Sequence, residues 1–221
     1  MKELKKQCDP ASCLLCRSVQ QAWLPAVEAN SKIFQLKKGE TLFKEGDPMP
    51  GMYFIHQGLI KVHKHWDEEK ELILRFAKGG DIVGHRGLGI DNIYPVTATV
   101  LETTEVCYVD NDFFQATLKM NPDFLYQLML FFAAELKESE RRMRNLAHMP
   151  VKGRIAQALT RLQEKFGKDD EGFIALPVNR QDFASYLGAT YETTFRLMNE
   201  MEAEGLIRVE GKKTAILQPL I

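Results

Sequence analysis

The 221-residue chain has only four cysteines, almost no net charge and no long apolar run, and each shortage narrows what it can be. No stretch has the apolar length that a secretory leader or a membrane span requires. The start, MKELKKQ, is charged and leads straight into the first cysteine. A soluble, cytoplasmic protein without a membrane partner is expected. The chain is too long for a disulfide-stapled mini-domain and long enough for two modest domains with their own apolar cores. In a reducing cytoplasm, closely spaced thiols point to a metal or redox site rather than to a disulfide framework. A formal net charge of -1 carries no global sign of a polyanionic partner, so nucleic-acid binding has to be argued from a motif.

What is present divides the chain by periodicity. From about Ser31 to Val109, short runs such as GMYFIHQGLIKVHKH and TATVLETTEVCYV alternate apolar and polar residues. Val, Ile, Tyr and Phe fill the runs and glycines separate them, which predicts short strands in a β-sandwich or β-roll. After Asn121-Pro122 the period becomes helical, and Asp123 to His148 contains neither Gly nor Pro. Leu125, Met129, Phe132, Leu136, Ser139, Met143 and Leu146 lie alternately four and three residues apart, a seam suited to a partner helix. Glu135, Lys137, Glu138, Glu140, Arg141, Arg142 and Arg144 fall on a solvated face. A helix of ~39 Å outruns a small roll, so its far end is expected to meet a second copy of the chain. Phe124 and Phe131, off the seam, are expected to pack back on the roll. Met149-Pro150 then ends the helix and marks a domain boundary.

Beyond that boundary, GRIAQALTRLQEKFG reads as a helix with Ile155, Ala158, Leu159, Leu162 and Phe166 on one face. A helix from about Gln181 to Leu187, a turn at Gly188 and a second helix from Thr190 follow, with Phe183, Ala184, Leu187, Phe195, Leu197, Met198 and Met201 as core positions. LIRV and TAIL alternate around Gly211-Lys212-Lys213 as a two-stranded wing. The whole reads as a winged helix-turn-helix. In that motif Tyr191, Glu192 and Arg196 face the major groove, where Arg suits guanine and Glu accepts from cytosine. Arg180, Thr190, Thr193, Lys212 and Lys213 are placed for phosphates. Glu192 and Arg196, four apart, also suit a plain surface ion pair. From Met149 onward ten basic residues face ten acidic ones, so recognition rests on geometry rather than on excess charge.

Cys8, Cys13 and Cys16 sit within nine residues, and Cys107 stands far away in the strand region. Soft thiolates suit iron-sulfur clusters or zinc, and four of them complete either shell. Stress-induced disulfide formation is the plainer alternative.

Together, GETLFKEGD with YFIHQG, then GDIVG, GRIAQAL and RQDFASYLGATYETTFR resemble the CRP/FNR family of bacterial transcription regulators over nearly the whole chain. The resemblance implies an α+β fold: a cyclic-nucleotide-binding-like β-roll (jelly roll), a long dimerisation helix and a C-terminal winged helix-turn-helix. The corresponding division is 1–28 for the cysteine-bearing segment, 29–120 for the roll, 121–149 for the helix and 150–221 for the DNA-binding domain. Cyclic-nucleotide members of the family hold the ligand phosphate with a Glu and an Arg-Ser pair. His85 and Pro95-Val96 stand in those places here, so cyclic AMP is not the expected effector. The region is similar to the FNR branch, whose members bind a [4Fe-4S] cluster through N-terminal cysteines and one in the roll. Cys8, Cys13, Cys16 and Cys107 would be the ligands, although Cys8 precedes the C-x2-C pair rather than following it. A homodimer, a two-fold symmetric double-stranded operator with TGA-like half-sites, and RNA polymerase are the implied partners.

Three other readings were weighed. His63-x-His65 with Glu69 approaches the iron motif of cupin dioxygenases, but the later histidine ligand is missing, so no enzyme is expected. His85 with Met52 or His56 would suit a haem-bound gas sensor. A roll sensing another small molecule would leave the cysteines structural, zinc-binding or idle.

Overall fold

Apolar alternation and left-handed glycines turn much of the chain from Ser31 to Asp110 into strands. The computed structural model describes every residue except Ser12, Glu68, Glu69, Pro177 and Ile221. Two compact units result, Met1–Lys64 with Leu74–Glu135, and His65–Ile73 with Leu136–Ile221. In chain order the elements through the long helix are β1 (Lys2–Leu4), α1 (Leu14–Ser18), α2 (Leu24–Asn30), β2 (Ser31–Leu36), β3 (Thr41–Phe43), β4 (Gly51–Gln57), β5 (Leu59–His65), β6 (Glu71–Lys78), β7 (Ile82–Val83), β8 (Thr97–Val100), β9 (Thr104–Asp110), α3 (Asn111–Met120) and α4 (Pro122–His148).

The strands form two sheets, ordered β1-β2-β9-β4-β7 and β3-β8-β5-β6. Phe54, Ile55, Val106 and Cys107 from one sheet and Ile60, Val62 and Ala98 from the other share one buried cluster, the core of a β-roll. The turn between β4 and β5 requires glycine: Gly58 has φ +102°, and a Cβ there would lie 2.3 Å from Thr104 Oγ1.

Four elements were not read from the sequence, the short helices α1 and α2 among them. Lys2–Leu4 pair with β2, Lys2 opposite Gln35 and Leu4 opposite Ile33, so the segment expected to lie outside the roll begins within its sheet. Asn111–Met120, included in the roll with no element assigned to it, is helical. Asp110 caps it, its carboxylate accepting from Phe113 N at 2.8 Å, while Phe114 and Thr117 turn inward.

The long helix α4 has two apolar faces. Phe124 and Leu128 are buried, and Phe114 stands edge-on to Phe124 with ring centroids 6.1 Å apart. Of the seam residues, Leu125, Met129, Leu136, Ser139, Met143 and Leu146 are exposed in the single chain, with Met143 67% exposed. Phe132 departs from the expected seam. It is half-buried beside His85, at 5.5 Å between ring centroids, because this part of α4 packs against the roll. Among the described residues, no helix is long and apolar enough to cross a membrane.

The second unit continues with α5 (Val151–Phe166), α6 (Arg180–Leu187), α7 (Tyr191–Ala203), β10 (Ile207–Glu210) and β11 (Lys213–Ile216). Ile155, Leu159, Leu162, Phe183, Leu187 and Met201 are buried at its centre. Phe166, expected to join them, is half-buried at the end of α5 and carries Lys165 over its ring at 5.8 Å.

Phe114 joins α3 to β4 and α4. Its replacement by alanine should cost about 3–5 kcal/mol and leave a cavity. The measurement is the denaturant midpoint, which should fall with little change in the slope of the transition.

Candidate nucleic-acid interface and thiol site

Helix α6 starts at Asn179, whose side-chain oxygen accepts from Asp182 N at 2.7 Å, and ends at Gly188 with φ +62° and ψ +45°. That left-handed residue permits the sharp turn into α7. Thr190 caps α7 by accepting from Thr193 N at 3.2 Å, and its hydroxyl also meets that of Thr193 at 3.0 Å. Thr194, Met198 and Met201 point inward, leaving Tyr191, Glu192 and Arg196 on the exposed side. Phe195 is the platform beneath this surface. Tyr191 stacks parallel to it at 6.1 Å, and the Arg180 guanidinium lies 4.6 Å from its ring centroid. Arg196 pairs with Glu200 at 2.5 Å rather than with Glu192, one turn back.

The wing turn is tighter than GKK suggested. Glu210 pairs with Lys213, so only Gly211 and Lys212 make the turn and Lys213 belongs to β11. Lys213 Nζ lies 2.5 Å from Glu171 and 3.0 Å from Asp169, and those carboxylates raise its pKa. The two lysines expected to act alike therefore differ: both are exposed, but the ammonium of Lys213 faces two carboxylates that offset its charge, while Lys212 stands at the tip of the turn.

At the other end of α6, Arg142 donates to Tyr186 O at 2.8 Å and Arg154 to Leu187 O at 2.8 Å. Cations at these last carbonyls oppose the helix dipole and hold the approach to the turn.

In the first unit all four cysteines are buried and reduced. Cys107 lies mid-strand in β9, opposite Ile33 of β2 and Phe54 of β4. Cys13 precedes α1, Cys16 lies within it, and Cys8 comes from the loop before. The sulfurs of Cys8 and Cys16 are 3.4 Å apart. Cys8, Cys13, Cys107 and His56 bring one ligand atom each within 4.8 Å of one another. Sulfhydryl donation from Cys107, Cys16 and Cys8 holds the Cys13 thiol well below its ordinary pKa. Hydrogen bonding with Cys13 pushes Cys16 and Cys107 up, while Cys8 is raised chiefly by its contact with Cys107.

His56 was not linked to the cysteines by sequence. Its Nε2 stands 3.3 Å from Cys8 Sγ, a consequence of strand register that no local pattern reveals. Glu135, assigned to the solvated face of α4, is also a contact residue: Arg86 reaches it at 2.8 Å and Arg75 at 3.3 Å. Burial opposes the charge of Glu135, but nearby His85 and the two guanidiniums outweigh burial and hold its pKa far below the usual carboxylate range. Burial in turn pushes the His85 pKa down, its ring standing edge-on to Phe131 at 5.0 Å. Met52 is fully buried in β4. His63 bonds Thr99 Oγ1 at 2.9 Å, and Glu69 lies outside the described residues.

A β-roll, a long helix with an exposed apolar stripe and a winged helix-turn-helix define a DNA-binding transcription regulator. Comparison with known proteins agrees. Residues 33–121 match the family model "Cyclic nucleotide-binding domain", and residues 153–219 match "Crp-like helix-turn-helix domain". The transcriptional activator protein FnrA of Stutzerimonas stutzeri is 32% identical over 189 residues, 84% of this chain and 76% of that protein. The fumarate and nitrate reduction regulatory protein of Escherichia coli is 30% identical over 185 residues, 82% of this chain and 73% of that one. The structure of FixK2 from Bradyrhizobium japonicum superposes with a TM-score of 0.76 at 23% identity, covering 86% of this chain and 93% of the other, a likeness of fold. The chain belongs to the CRP/FNR family of transcription regulators, nearer its FNR branch.

Proposed function

We propose that the protein is a dimeric regulator that reads a two-fold symmetric operator, its DNA binding set by an oxygen-labile [4Fe-4S] cluster on Cys8, Cys13, Cys16 and Cys107. The observation that carries the sensing half is the convergence of four buried thiols, three on the N-terminal arm and one in the roll. An all-thiolate set of four is the shell such a cluster takes, so the donor chemistry fits. The name of the Escherichia coli relative, a regulator of fumarate and nitrate reduction, supports a redox setting. A bound cluster would supply a redox centre open to attack by oxygen.

The chain's own residues carry the consequence. Cys107 is held by the sheet, so whatever binds all four sulfurs ties the arm to β9. Just after the cysteines, Gln20 N donates to Asn121 Oδ1 at 2.9 Å and Trp23 Nε1 to Thr117 Oγ1 at 3.1 Å. Trp23 also stacks on Phe113 at 6.2 Å. An ordered arm thereby braces α3 and the start of α4. Along α4 the exposed stripe of Leu125, Met129, Leu136, Met143 and Leu146 is the surface that a symmetry-related copy would cover. Two reading heads then meet half-sites one helical turn apart, with RNA polymerase as a further partner.

Protein purified without oxygen should be brown, contain about four irons per chain and bleach in air. Cys107→Ser should remove both the colour and the air-dependence of operator binding. Colourless wild-type protein, or operator binding that is equal with and without air, rules out the oxygen reading and leaves the DNA reading standing.

For the reading head, Arg196→Ala should cost about 1–3 kcal/mol on the cognate site and relax discrimination. Lys212→Ala should weaken specific and non-specific binding alike. Lys213→Ala should change either little, since its charge is already offset by Asp169 and Glu171. Quantitative binding to operator and scrambled duplexes separates the three. Met143→Glu should bury like charges at the proposed interface, abolishing dimers in sedimentation together with operator binding.

A further inference from the structure

The thiol pocket holds five potential ligands, one more than the cluster needs. Cys8, Cys13, Cys107 and His56 are gathered within 4.8 Å of one another. Around a single tetrahedral ion, with Zn–S near 2.3 Å and Zn–N near 2.0 Å, three sulfurs and a nitrogen sit about 3.5–3.8 Å apart. Atoms already within 4.8 Å of one another need to close only a little to share one ion, and Cys16, 3.4 Å from Cys8, is the thiol outside that group. The corners of an iron-sulfur cube lie farther apart, because each sulfur binds a different iron.

Charge points the same way. One divalent ion with three thiolates and a neutral imidazole carries a single negative charge, whereas four thiolates would leave two. In a pocket whose cysteines are nearly inaccessible to water, the smaller buried charge is favoured. Position adds a third argument. Cys107 is paired within β9, and His56 lies at the irregularity of the neighbouring strand β4, between Ile55 and Gln57, so the roll supplies half of the donor set. Cys8 and Cys13 come from the arm. Thiolate and imidazole together suit zinc among the available divalent ions.

We propose that this pocket also takes one zinc-like divalent ion on Cys8, Cys13, Cys107 and His56, leaving Cys16 outside the coordination shell. The site deepens the metal-binding reading of the cysteines without requiring an iron-sulfur cluster. An ion held there would fasten the arm to the roll by a different fourth ligand.

The test uses the full-length chain, reduced and metal-free, titrated with cobalt(II). One ion per chain should bind, with tetrahedral ligand-field bands and thiolate charge-transfer absorption. His56→Ala should weaken binding at least ~10-fold and change the bands. Cys16→Ser should leave spectrum and affinity unchanged. The opposite result, with bands lost in Cys16→Ser and kept in His56→Ala, overturns the proposal. Cadmium NMR of the wild-type chain guards against a misfolded variant: a three-sulfur, one-nitrogen shift supports the site and a four-sulfur shift refutes it. Iron and sulfide in anaerobic His56→Ala protein are scored separately, so a failed cluster reading and a failed His56 assignment remain distinct.

Discussion

The antiparallel pairing of β9 with both β2 and β4 is the constraint on which the sensing half depends. A strand bonded on both edges cannot slide without breaking two ladders of hydrogen bonds, and a shift of one residue would send every side chain to the opposite face. Val106, Cys107 and Val109 are accordingly held with no measurable exposure. Cys107 thus becomes a fixed point to which the arm is brought. The next strand over carries His56, and the end of β9 supplies Asp110, the cap of α3. One ladder of hydrogen bonds therefore positions a thiol and the start of the helical segment leading to α4, and its irregularity at His56 sets the imidazole beside them.

Helix α4 is tied within each unit by polar contacts as well as by packing. In the first unit Glu135 is clasped by Arg75 and Arg86, a pairing inside a partly dry environment where a lost partner would strand a charge. In the second unit Arg142 holds the last carbonyls of α6. The exposed stripe lies between and beyond these ties. A helix anchored this way has little freedom to bury its own stripe, so the apolar surface stays available to another chain.

Strong periodicity made the long helix, the helix-turn-helix and the wing legible in sequence, as did the glycine-punctuated strands. What was missed depended on partners distant in the chain. The strand at Lys2–Leu4 is three residues long and has no pattern of its own; it exists because β2 offers an open edge. Glu135 looks like any other charge on a solvated helix face until the roll places two arginines beside it. His56 reads as an ordinary strand histidine, and only register puts it against Cys8. The wing lysines teach the same lesson, since Lys212 and Lys213 are adjacent yet only one faces carboxylates from the preceding loop.

That offset of charge bears on how the regulator would find its site. The DNA-binding half carries equal numbers of acidic and basic residues, Arg196 is paired with Glu200, and Lys213 with Glu171 and Asp169. Few free cations mean little counterion release, and hence weak attraction to DNA of arbitrary sequence. A single head would gain its binding energy mainly where Arg196 exchanges Glu200 for a base edge. Such a head binds usefully only when a second is tethered beside it and raises the effective concentration at the neighbouring half-site. On the proposed reading, sparse charge on the reading surface would make operator binding depend on the α4 interface, and would give an arm that braces the start of α4 leverage over transcription.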